Sequence, residues 1–182
     1  MAIVAEIKPF LPVKLICGII ASRKEYFLKA KERLATLYGP VDSRSPRFDF
    51  DLTDYYQREM GGGLKRIFVS FARLIDPALL SEIKLRTNRL ELEIRDDFSA
   101  SGRVVNLDPG YLTRAALIMA TAKDFSHRIP LRDGIYGHLE LLFSRGGIRR
   151  LDWTYPDFAN TGYQEYFLGV RRIYLDELKS LE

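Results

Sequence analysis

The chain has 182 residues, 47% of them hydrophobic, and a net charge of +4 from 28 basic and 24 acidic side chains. That length and apolar content support one domain with a real core and exclude a disordered chain. Charges of both signs alternate with no basic tail, and no apolar run approaches the roughly 18 residues that span a bilayer. Arginine outnumbers lysine 19 to 9; arginine suits bidentate phosphate or carboxylate binding, and ordinary solvated surface accounts for the excess equally well. A single cysteine, Cys17, excludes an internal disulfide and points to a reducing cytoplasm. It sits in the apolar run 15–20, where it reads as a small buried hydrophobe. Residues 1–10 carry Glu6 and Lys8 and lack the apolar stretch of a signal peptide.

The first element is a buried strand over 13–21. Ser22 and Glu25 have the spacing of a capping box, so a helix is expected from Ser22. Phe27, Ala30, Leu34 and Leu37 keep its period, and Gly39-Pro40 ends it. Alternation of Phe48, Phe50 and Leu52 predicts a second strand over 47–52. Gly61 to Gly63 is a break, and 66–75 is a third strand. Asp76-Pro77 starts a second helix, with Leu79, Leu80, Ile83 and Thr87 on one face. Leu90, Leu92 and Ile94 then alternate with charged residues, which predicts a strand. The order β-α-β-β-α-β is that of a ferredoxin-like fold. After a polar turn, 103–107 is expected to pair back on 90–94. Short strands at 117–122, 127–131, 135–143 and 148–153 follow, the last three separated by Arg-Asp-Gly and Arg-Gly-Gly turns as a meander. Thr161 and Gln164 resemble a capping box. A final helix presents Tyr166, Phe167, Val170, Ile173, Tyr174 and Leu178. The expected fold is α+β: a ferredoxin-like half extended by a C-terminal meander and a packed helix, in one domain over 1–182.

Chemistry concentrates between Asn106 and Asp157. Asn106-Leu-Asp-Pro-Gly-Tyr111 reads as a turn, or as a strand end that points Asp108 into a cleft as general base or metal ligand. Lys123, His127 and Arg128 repel one another unless carboxylates or a bound anion neutralise them; Asp124 and Asp133 could do so, and so could phosphate. On the strand 135–143, Ile135, Leu139, Leu141 and Phe143 are expected on one face, and Tyr136, His138 and Glu140 on the other. His138 and Glu140 could share a metal only with a third ligand such as Asp108 or His127. The glycines before Lys65 and Arg66 do not form a Walker A motif, but could carry both cations to a cleft mouth. Phe68-Val69-Ser70-Phe71 matches only the end of an RNA-recognition signature. Asp49, Asp51, Asp54 and Glu59 form an acidic group that reads as exposed edge or as a carboxylate site.

Four pieces together resemble a bacterial family known as domain of unknown function 4416. They are Tyr55-Tyr56 with Glu59-Met60-Gly61, the 106–111 segment, Lys123-Asp124 to His127-Arg128 running into Gly134-Ile-Tyr136, and Trp153-Thr-Tyr-Pro-Asp157. The resemblance spans nearly the whole chain. It implies a one-domain cytoplasmic protein and no established activity. Some relatives carry a GTP-binding label. Where the family often has a carboxylate this chain has His138, which argues against an essential acid there.

The residues thus lead to binding of a phosphate-bearing small molecule, a nucleotide being one class. Lys123, Arg128, Arg132, Tyr111, Tyr136, Lys65 and Arg66 are expected at the ligand, with His127 and Asp108 as acid–base groups if a reaction occurs. The alternative is a non-catalytic module that binds RNA or a protein. Cofactor, metal and oligomeric state are left open by the sequence.

Overall fold

The computed structural model describes residues 5–51 and 56–181, Arg58 by its backbone alone. Leu52, Asp54 and Tyr55, used in the readings above, lie outside the described residues. The architecture is α+β. Among the described residues, nine antiparallel strands form one sheet, with three long helices and a short one.

Strand β1 (Val13–Ala21) is buried along its whole length because helices cover both faces of the sheet around it. Leu15, Cys17 and Ile19 face α1 (Lys24–Tyr38) and α3 (Leu80–Asp97), while Ile16 faces α4 (Thr161–Lys179). Burial drives the Cys17 thiol far above its ordinary value, as befits an unreactive core residue. On one flank β1 pairs with β4 (Lys65–Ile75), itself flanked by β2 (Val41–Arg44) and the two-residue β3 (Phe48–Asp49). On the other it pairs with β5 (Val105–Leu112), then come β6 (Ala116–Thr121), β8 (Ile135–Ser144) and β7 (Ile129–Arg132). Strand β9 (Gly147–Arg150) also pairs with β8. The short helix α2 is Gln57–Met60. Phe68 of β4 lies against Phe158, Tyr163, Tyr166 and Phe167, so no base can stack there. Each large side chain buried under α4 contributes about 1.5–3 kcal/mol.

Several expectations change. Helix α1 starts at Lys24 after Arg23, with no side-chain cap from Ser22. The second strand is only β3, and β2 precedes it. Residues 90–94 are not a strand: α3 runs unbroken from Leu80 to Asp97. Its buried stripe is Leu80, Ile83, Lys84, Thr87, Leu90, Glu91 and Ile94, which is helical spacing, and the misleading Leu92 is left on the surface. The strand that follows α3 is β5, which pairs with β1 rather than with 90–94. Asn160, not Thr161, caps α4, accepting the Gly162 N–H at 2.8 Å. Asp76 does cap its helix start, through the Ala78 N–H at 2.8 Å.

Asp108-Pro109-Gly110 is not a turn but the middle of β5, and the site forms around it. Strand β5 is paired with β1 at all eight of its positions, but with β6 only from Gly110 to Leu112. Pro109 has no N–H to offer a neighbour. A Cβ on Gly110 would stand 2.5 Å from the Ile118 carbonyl, so glycine permits the close approach where the two strands still meet. Beyond that point they part.

Candidate functional site

The parting of β5 and β6 opens a cleft of about 520 Å³, within the range of small-molecule sites. The Leu107 backbone, where another strand would otherwise pair, is met from α3. Lys84 Nζ donates to its carbonyl at 2.8 Å, and Glu91 accepts its N–H at 2.6 Å. Both side chains are buried on the α3 stripe, so the helix substitutes for a strand. Burial holds the Glu91 carboxyl above its ordinary range, although Lys84, the Leu107 N–H and Arg103 oppose that.

Arg66 of β4, opposite Ile20, reaches diagonally across β1 to Asp108 of β5, which lies opposite Gly18. Arg66 Nη2 donates to Asp108 at 3.2 Å, and its other amino group binds Asp157. Asn106 donates to Asp108 at 2.8 Å, and Lys84 lies 3.7 Å from it. Arg103 joins Glu91, Asn106 and Glu59. Burial raises Asp157 above the ordinary carboxyl range despite Arg66 beside it. Phe50, Tyr56, Phe68, Tyr155 and Phe158 supply the apolar walls, and Arg66 lies 4.5 Å from the Phe50 ring centre.

The segment 153–157 closes the cleft from the other strand. Trp153 Nε1 donates to the Leu139 carbonyl at 2.8 Å, and Thr154 Oγ1 to that of Glu140 at 2.6 Å. A register shift between β6 and β8 skips Glu140. The expected alternation along β8 therefore breaks: His138, opposite Met119, shares a face with Leu141, opposite Leu117. Tyr155 N–H donates to Glu140 at 2.7 Å, and its ring stacks on His138 at 5.2 Å.

Of the residues expected at a site, Asp108, Arg66 and Lys123 line this cleft. His127 stands on its rim, 3.2 Å from His138 and stacked on Trp153. Arg128 ties the rim together, donating to the Lys123 carbonyl and to the Tyr155 hydroxyl, each at 2.6 Å. The remaining four are not brought in. Tyr111 packs near Leu80 on the α3 face. Arg132 pairs with its neighbour Asp133 on exposed β7, and Lys65 pairs with Asp49. Tyr136 lies opposite Thr121 but is not part of the lining. Lys84, Asn88, Glu91, Arg103, Tyr155 and Asp157 line the cleft without having been singled out as ligand groups. The signal available for two of them was charge on an apolar helix stripe, Lys84 and Glu91 two turns apart. Among the described residues, no three His, Cys, Asp or Glu side chains are grouped to hold a metal ion. Among the same residues, no helix is long and apolar enough to cross a membrane.

Fold and cleft together define an α+β protein with a polar hollow built into a parted antiparallel sheet. The chain belongs to the family described as Domain of unknown function (DUF4416), which matches residues 11–174. No curated protein and no solved structure matches it.

Proposed function

We propose that the protein binds a phosphate-bearing small molecule, a nucleotide being the leading class, in the cleft between β5 and β6. One observation carries this reading: Arg66, Lys84, Arg103 and Lys123 converge on one hollow of mononucleotide size that also has aromatic walls. Arg66 and Arg103 each keep a buried Nε with no hydrogen-bond partner, and buried donors of that kind call for an acceptor. Asp108 and Asn106 would orient the ligand. The carboxylates already paired with these cations favour a ligand that also brings donors, such as a base or a sugar, over a bare anion.

We also propose that β1 to β5 with α1 and α3 form a ferredoxin-like unit within a single domain. The strand order β2-β4-β1-β5, antiparallel throughout, supports it.

The test is a thermal-shift screen against nucleotides, sugar phosphates and inorganic phosphate. A specific ligand near 100 times its dissociation constant adds about 2.7 kcal/mol of stability. No shift with any of them rejects the reading. A second reading, a protein- or RNA-binding module, draws on the exposed Ile129 and Leu131 of edge strand β7. Binding of RNA would weaken steeply with salt, whereas the cleft ligand would depend on it less.

A further inference from the structure

The two histidines of the chain meet at the cleft and continue into a buried acid. His127 Nε2 is 3.2 Å from His138 Nδ1, and His138 Nε2 is 2.8 Å from Glu140 Oε2. His138 and Glu140 are closed to solvent, at 1% and 0% exposure, while His127 is half-buried on the rim. The three groups therefore form a row from the surface to the cleft lining. We propose that this row is a proton path, through which the His138–Glu140 pair exchanges a proton between solvent and a ligand bound in the cleft.

The geometry constrains the protons closely. Only one fits between two ring nitrogens at 3.2 Å, because two N–H groups facing each other repel. A single proton therefore bridges the two rings. They are also held in place: Trp153 stacks on His127 at 5.1 Å with 7° between planes, and Tyr155 on His138 at 5.2 Å. The Tyr155 N–H fixes Glu140 through Oε1, leaving Oε2 beside the ring. The His138 Nε2 to Glu140 Oε2 approach is close but off the line of a good hydrogen bond, and neither atom has another partner. Both residues line the cleft. A buried nitrogen and oxygen in that condition accommodate a third polar group, which a ligand hydroxyl or phosphate oxygen supplies.

In the transfer, a solvent proton joins His127 at Nδ1 and the Nε2 proton passes to His138 Nδ1. The His138 Nε2 proton then passes to Glu140 Oε2 or to the ligand oxygen. Each ring accepts one proton and gives one, so neither is left charged, and return along the same row restores the starting tautomers. Few charges bear on it. Arg128 lies beside His127 and holds the Tyr155 hydroxyl; Asp108 and Lys123 face it from the cleft lining; opposite His138 on β6 stands the uncharged Met119. Partial desolvation, then His138 and Arg128, pull His127 below its ordinary value.

This inference does not rest on the ligand being a phosphate, and its test uses the ligand-free full chain. Nitrogen-15 spectra of the imidazoles are followed from about pH 5 to 9, the interval in which histidine titrates. The expected result is linked titration: each ring responds in two steps, and Glu140→Gln lowers the proton affinity of His138 about tenfold or more. The wild-type coupling needs no substitution, so a variant that fails to fold leaves the test intact. Independent single-step titration of the two rings in the wild-type protein, with His138 unaltered by His127→Gln, would overturn the proposal while leaving the binding reading standing. Absence of any phosphate ligand would do the reverse.

Discussion

Two buried cations share nearly the same wiring and differ in what lies beyond it. Lys14 on β1 is fully buried and pairs with Asp42 and Glu177, and Ser70 also binds Asp42. Arg66 on β4 is almost as buried and pairs with Asp108 and Asp157. Each is a cation between two carboxylates that offset its desolvation. Each cluster also keeps one buried polar atom without a partner, Glu177 Oε2 and Arg66 Nε, but Lys14 and its carboxylates do not line the cleft, whereas Arg66 opens on that 520 Å³ hollow. The lesson is that a buried charge cluster is not a site by itself. Access to a cavity makes it one.

The largest effect should come from Arg66→Met. It leaves Asp108 and Asp157 without their shared partner and should cost about 3–5 kcal/mol in urea unfolding. It should also abolish any ligand-induced thermal shift. Lys14→Met is expected to lose stability of the same order but keep that shift. A Lys14→Met protein that is folded yet blind to ligand would break the comparison.

Next comes Gly110→Ala, at about 1–3 kcal/mol, because the new methyl meets the Ile118 carbonyl, which cannot yield as the Met119 side chain beside it can. It should change the cleft as well, since it wedges the point where β5 and β6 touch. Unfolding curves together with ligand shifts separate the two effects; an unchanged protein would show that the strands part for another reason.

Two smaller effects concern pH. The Glu91 carboxyl is raised in the fold, so the folded state holds its proton longer than the unfolded chain does. The stability this adds is complete below the ordinary carboxyl value, about 4.3, and is lost as pH rises through the folded value. Glu91→Gln should flatten that decline in denaturant melts on either side of it. His127 behaves in the opposite sense, being lowered in the fold. Its contribution is complete above the ordinary value of about 6.5 and is lost as pH falls below it. His127→Gln should remove a shallow loss of stability there, and an unaltered slope would count against the desolvated rim.

Much of the fold was legible, because apolar runs and turn residues act locally. Strand β1 lies over Val13–Ala21 as its pattern indicated, and β4 and β8 fall within a residue of their expected bounds. Residues 90–94 misled because Leu90, Leu92 and Ile94 satisfy a two-residue period, while the true stripe also uses Glu91, a charge that buries by reaching the Leu107 N–H. That error hid the α3 side of the cleft. Asp108-Pro-Gly110 misled in the other direction. Those residues commonly turn a chain, but here proline removes a donor and glycine admits β6. Asp108, Arg66 and Lys123 could be picked out as charges near strands. Tyr111, Arg132, Tyr136 and Lys65 could not be dismissed, because where a sheet parts is a property of pairing between distant segments.

The most direct test is a backbone-amide NMR titration of the intact chain with a nucleotide, with Arg66→Met as the companion. The account predicts shifts concentrated at 106–110, 119–123, 138–140 and 155–158, absent in the companion protein. Shifts confined to the β7 edge, or none at a ligand concentration that stabilises the protein, would contradict it.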